Sequence, residues 1–82
     1  MKKLLYFTAK WCGPCRSLAP VMESLSKEIS IEKIDVDEQP NVATKYNIQS
    51  VPTIIMTVDG VEKERKIGAA SPKVFVSMYE RY

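Results

Sequence analysis

Residues 11–15 read Trp11-Cys12-Gly13-Pro14-Cys15, and Cys12 and Cys15 are the only cysteines in the chain. The run separates a short apolar stretch, Lys3–Thr8, from a segment with helical periodicity, and that junction decides the fold. Positions i and i+3 at a helix start lie on one face roughly 5 Å apart, inside the Cα separation that a disulfide accepts. Two thiols placed there can close a disulfide, reopen it and pass the change to another molecule.

Working outward, Lys3–Thr8 (Lys-Leu-Leu-Tyr-Phe-Thr) suits a strand buried on both faces. Leu18, Met22, Leu25 and Ile29 then recur at spacings of 4, 3 and 4, with Arg16, Glu23, Lys27 and Glu28 elsewhere. This predicts one amphipathic helix from the cysteines to about Ile29. Pro20, inside it, removes one backbone bond and kinks it. Ile31–Val36 reads as a second strand and residues 37–41 as a loop. Val42–Tyr46 reads as a short helix, with Asn47 as its left-handed terminator.

Thr53–Val58 and Val61–Ile67 are two further strands, joined at Asp59-Gly60, a strong hairpin signal. Ser71-Pro72 supplies an N-cap and first-turn proline for a last helix. Its buried face is predicted as Val74, Phe75, Met78, Tyr79 and Tyr82. The order is β-α-β-α-β-β-α. The first two strands, joined by a helix, are expected to be parallel, and the closing hairpin is antiparallel. The result is an α/β chain with a four-stranded mixed sheet and helices on both faces. No linker, repeat or low-complexity stretch divides residues 1–82, so one domain is expected.

An apolar content of 45% and a charged content of 27% are ordinary for a soluble globular domain. A formal net charge of +2 gives no argument for a nucleic-acid partner. No segment approaches the roughly 18 apolar residues of a membrane span, and no membrane partner is expected. Lys2-Lys3 before Leu4-Leu5-Tyr6-Phe7 imitates a signal peptide, but the apolar run is too short and no small-residue cleavage site follows. The expected compartment is therefore a reducing cytoplasm, where a C-x-x-C is more often catalytic or metal-binding than a structural staple. Zinc or an iron–sulfur cluster wants four ligands. Two cysteines and no histidine fall short of that unless two chains share them. No metal is expected, and the chain is expected to be a monomer.

A helix start leaves backbone N–H groups unpaired and carries partial positive charge. A thiolate at Cys12 accepts those donors, which makes Cys12 the nucleophile. Cys15, one turn in, is the resolving thiol and needs a base to take its proton. Gly13 lets a partner approach closely. Pro14 fixes φ at the helix start and withholds a donor from the thiolate, which favours a reductant over a strong oxidant. Lys10 and Arg16 flank the pair as candidates for stabilising the thiolate or steering a partner. Solvated surface charge is the plainer reading of both, as it is of Asp35, Asp37 and Glu38. Tyr6 reads as core filling.

With these residues in view the chain resembles a small thioredoxin. The stretches that carry the resemblance are 9–16 (Ala-Lys-Trp-Cys-Gly-Pro-Cys-Arg), Ala19-Pro20, Ile34-Asp35-Val36-Asp37, Tyr46-Asn47-Ile48, Ser50-Val51-Pro52-Thr53, Asp59-Gly60 and Gly68-Ala69. The resemblance implies a minimal thioredoxin fold in which Pro52 is a cis-proline facing the cysteines. It further implies that Trp11, Val51, Pro52, Gly68 and Ala69 receive the substrate, with an extended substrate segment pairing along the edge at Val51. The implied activity is reduction of protein disulfides through a redox-active Cys12–Cys15 couple. No bound cofactor is implied, and a flavoprotein thioredoxin reductase is the recycling partner. A glutathione-dependent, glutaredoxin-like enzyme is the alternative, with a cleft near Lys10, Val51, Pro52 and Gly68. A non-catalytic adaptor docking through Trp11 and Pro52 is a third.

The sequence also departs from the family. It starts directly on the central strand, without the additional strand and helix of full-length thioredoxins. Tyr6 stands where the family places a buried aspartate that serves the resolving cysteine, so Lys33 loses its usual partner. Thr8 replaces a second tryptophan. The acceptor of the Cys15 proton is left open between water and a carboxylate such as Asp35.

Overall fold

The computed structural model describes all residues, Met1–Tyr82. Seven elements follow in order: β1 (Lys2–Thr8), α1 (Gly13–Leu25), β2 (Ile31–Asp35), α2 (Pro40–Lys45), β3 (Thr53–Val58), β4 (Val61–Ile67) and α3 (Pro72–Glu80). They form one four-stranded sheet in the order β2-β1-β3-β4. β1 and β2 are parallel, with Tyr6 beside Lys33 and Thr8 beside Asp35. β3 runs antiparallel to both β1 and β4.

β1 lies inside the sheet, and Leu4–Thr8 are buried without interruption. A strand with helices on both sides has no solvent face to alternate toward. Leu4 and Tyr6 point to one face, where Leu18, Met22 and Leu25 of α1 and Phe75 and Met78 of α3 close over them. Leu5 and Phe7 point to the other, joining Ile34 and Ile55 beneath Val42 and Tyr46 of the α2 segment.

Three expectations need correction. α1 ends at Leu25 rather than near Ile29. The Ser26 hydroxyl donates to the Glu23 carbonyl at 2.6 Å, and residues 26–28 form a turn. The Ile29 amide still donates to the Leu25 carbonyl at 2.9 Å. The apolar spacing survives because the turn keeps a helical hydrogen bond. α2 begins at Pro40, two residues early, because a first-turn proline is already set to helical φ. On α3 the buried side chains are Phe75 and Met78, with Tyr79 partly covered, while Val74 and Tyr82 are exposed. α3 stops at Glu80, so Tyr82 lies past its end and donates its hydroxyl to Glu64 at 3.2 Å.

The turn expectations hold in the backbone. Asp59 and Gly60 have φ of 51° and 82°, the pair of positive values that a type I′ hairpin needs. Asn47 is left-handed with φ of 53°. Ser71 occupies the N-cap of α3, but its side chain makes no capping bond. Pro20 sits on the solvent side of α1, and the helix continues to Leu25 beyond it.

Candidate redox site

The site begins where β1 delivers the chain over the end of the sheet. After Thr8 a short turn, closed by the Cys12 amide on the Ala9 carbonyl, leads into α1. Cys12 is the N-cap, with φ −90° and ψ 116°, and its sulfur accepts the Cys15 amide at 3.2 Å. One orphan donor of the helix start is thereby satisfied by sulfur in place of a usual capping oxygen. Cys12 and Cys15 are joined in a disulfide with their Cα atoms 5.2 Å apart. Cys12 is 5% exposed and Cys15 1%, packed with Ala9 and flanked by Val36 and Val51.

Across from the disulfide stands the segment entering β3. The Val51–Pro52 peptide is cis, and the Val51 carbonyl lies 3.6 Å from the Cys12 sulfur. In the dithiol state that oxygen is an acceptor for the Cys12 thiol. The segment is held from both ends. The Thr53 hydroxyl donates to the Ser50 carbonyl at 2.7 Å, and the Gly68 amide donates to the Pro52 carbonyl at 2.8 Å. Gly68 reaches Pro52 with φ of 94°, in the region glycine enters most readily. Ala69 follows it, exposed.

Trp11 is 66% exposed, and its indole N–H donates to the Asp37 carboxylate at 2.8 Å. That bond gives Asp37 a defined partner where the sequence suggested a solvated turn. A small apolar notch of about 120 Å³ opens between Trp11, Val36, Ile48 and Val51. Gly13 and Pro14 are exposed beside the disulfide, and a Cβ at Gly13 would meet nothing within 4 Å. The glycine is thus not required by the fold of this chain itself, which leaves room there for an incoming surface.

The charged candidates gather on the other side of α1. Lys10 pairs with Glu38 at 3.4 Å in solvent. Arg16 and Lys33 are exposed, and they line with Cys15 a cleft of about 450 Å³ that also touches Thr8 and Asp35. Tyr6 does more than fill core. Its hydroxyl lies 3.2 Å from the Cys15 carbonyl and 3.3 Å from the Thr8 hydroxyl, bracing the first turn of α1 from below. The carboxylates held below their usual range lie elsewhere. Glu62 is lowered by its hydrogen bond to Arg65, Glu64 by Arg81 and Asp59 by the terminal amine.

The family model for thioredoxin matches residues 1–81. A chloroplastic M-type thioredoxin of Spinacia oleracea is 42% identical over 80 residues, covering 93% of this chain and 44% of that protein. The thioredoxin of Chlamydia trachomatis serovar D is 38% identical over 82 residues, covering 96% of this chain and 80% of its own length. Among solved structures, a mutant thioredoxin from Halobacterium salinarum superposes with a TM-score of 0.92 at 36% identity, covering 99% of this chain and 74% of that one. The chain spans about half the length of the chloroplastic relatives it matches. With a disulfide at the N-cap of α1, a cis-proline opposite it and these likenesses along nearly the whole chain, the protein belongs to the thioredoxin family.

Proposed function

We propose that the chain is a thiol–disulfide oxidoreductase that reduces disulfides in other proteins. The observation that carries this reading is the Cys12–Cys15 disulfide, set at a helix N-cap and facing the Val51 carbonyl. In the dithiol form the Cys12 thiolate attacks one sulfur of a substrate disulfide and releases the other as a thiolate. Cys15 then attacks the Cys12 sulfur, which closes the intramolecular disulfide and frees the second substrate thiolate. The backbone at the exposed end of α1 and the N–H of Cys15 support the Cys12 anion.

Trp11, the notch beside Val51 and the turn at Gly68-Ala69 surround the disulfide and suit an extended substrate segment with apolar side chains. Lys10 and Arg16 suit steering of acidic partners. The couple itself carries the electrons, so the reading needs no bound cofactor, and a flavoprotein thioredoxin reductase or glutathione restores the dithiol. A reducing compartment such as the cytoplasm suits such recycling.

The deciding experiment measures reduction of a protein disulfide by the wild type, Cys12→Ser and Cys15→Ser. Cys12→Ser is expected to abolish turnover and Cys15→Ser to accumulate a mixed disulfide with substrate. Full activity of Cys12→Ser would overturn the reading. Supplying thioredoxin reductase in one arm and glutathione with its reductase in another identifies the electron donor.

A further inference from the structure

The second chemical step needs Cys15 as a thiolate, yet Cys15 is 1% exposed and no carboxylate lies beneath it. The groups below it on β1 are the hydroxyls of Tyr6 and Thr8. Tyr6 already turns its hydroxyl to the Cys15 carbonyl and the Thr8 hydroxyl, and neither hydroxyl is a base. The proton therefore has to leave sideways.

Cys15 lines the cleft of about 450 Å³ between α1 and β2, and the charged groups facing that cleft come from every element around it. They are Lys10 from the loop after β1, Arg16 from α1, Lys33 and Asp35 from β2, and Glu38 from the loop after β2. Glu38 is engaged with Lys10 at the exposed rim. Asp35 is half-buried and stands beside Thr8 in the parallel ladder, one step along the same sheet face from the Lys33–Tyr6 pair. Its Oδ1 accepts the amides of Asp37 at 2.8 Å and Glu38 at 3.3 Å, which fixes the carboxylate in place. Both of these bonds use Oδ1, which leaves Oδ2 unengaged by them on a residue that lines the cleft.

We propose that Asp35 is the acceptor of the Cys15 proton, through a water in this cleft. The proposal rests on the oxidoreductase reading. In the mixed disulfide the Cys15 S–H gives its proton to the water as the water gives one to Asp35. The Cys15 sulfur then bonds to the Cys12 sulfur, the Cys12–substrate S–S bond breaks, and its electron pair leaves on the substrate thiolate. Arg16 and Lys33, which make no ion pair, stabilise the charge that crosses the cleft.

The test follows single-turnover reduction of a protein disulfide by the dithiol form, timing formation and decay of the mixed disulfide from pH 6 to 9. Asp35→Asn keeps the oxygen that caps Asp37 and Glu38, and thermal melting verifies its fold. Formation is expected to be unchanged. Decay is expected to slow about 100-fold at pH 7, the lower end of general-base contributions, with the deficit shrinking toward pH 9 as hydroxide takes over. Asp35→Glu, which returns a carboxylate, is expected to recover most of the decay rate. Wild-type decay in Asp35→Asn across the range, or an Asp35→Glu as slow as Asp35→Asn, would overturn the proposal and leave the oxidoreductase reading standing. Failure of the wild type to form any Cys12-linked mixed disulfide would overturn that reading, and this one with it.

Discussion

The two faces of the sheet are built differently. One is covered by α1, of 13 residues, and α3, of 9, which bury a nine-residue apolar cluster including Tyr6, Ile54 and Phe75. The other carries only the six-residue α2 and a four-residue cluster of Leu5, Phe7, Ile34 and Ile55. Beyond α2 this thinner face is finished with polar groups. Lys3 donates to Glu32 at 2.9 Å beside a cleft of about 420 Å³. Arg65, placed opposite Ile55 in the β3–β4 ladder, donates to the Tyr46 carbonyl at 2.7 Å while Glu62 holds its guanidinium with two bonds of 2.8 Å. The thick face supplies cohesion through burial. The thin face relies on a few directed bonds, and one of these braces the segment that runs on to Val51 and Pro52.

Four measurements would break or sharpen that contrast. Phe75→Ala on the thick face is expected to cost about 3–5 kcal/mol, read as denaturant midpoint at constant slope. Leu5→Ala on the thin face is expected to cost about 2 kcal/mol, the lower end for such truncations, because the adjoining cleft admits water. Equal losses would erase the distinction between the faces.

Arg65→Met follows, at about 1–2 kcal/mol for a charge-assisted bond lost to a partly buried carbonyl. Its informative readout is kinetic. KM for a protein disulfide is expected to rise while reactivity toward a small disulfide reagent stays constant. Unchanged KM would confine Arg65 to stability.

The smallest effect is acid dependence. Hydrogen bonding to Arg65 lowers the Glu62 carboxyl, so the unfolded chain binds protons more readily than the folded one. This contribution is present above the unfolded value of about 4.3 and is lost as pH falls through the lower folded value. Melting temperature is expected to drop more steeply below about pH 4.3 in the wild type than in Glu62→Gln. Because the pair is open to solvent on one side, the difference is small and salt-sensitive. Parallel curves would show that Glu62 only orients Arg65.

Much of this was readable from local signals. β1, the Asp59-Gly60 turn, the proline-started helices and the helix-start cysteines each depend on residues a few positions apart, so periodicity and turn chemistry reveal them. Cis-Pro52 came from resemblance, since nothing in Val51-Pro52 alone reverses the usual preference for trans. The contacts that finish the site were not readable. Trp11 meets Asp37 at a separation of 26 residues and Arg65 meets Tyr46 at 19, and each pairing exists only once the sheet is assembled. Tyr6 was half legible. Its burial followed from its strand, while its bond to the Cys15 carbonyl depends on where α1 comes to rest.

The central position of β1 also sets a timetable. This strand precedes both of its partners in the chain, and Val58, the last residue of β3, follows Thr8 by 50 residues. At translation speeds of about 5–20 residues per second, Leu4–Phe7 wait on the order of 3–10 seconds for the strand that closes over their second edge. During that interval a strand whose residues Leu4–Thr8 are all buried in the finished fold has one neighbour at most. A nascent chain halted before β3 is thus the form that a holdase should recognise, and one extended through β4 the form it should release.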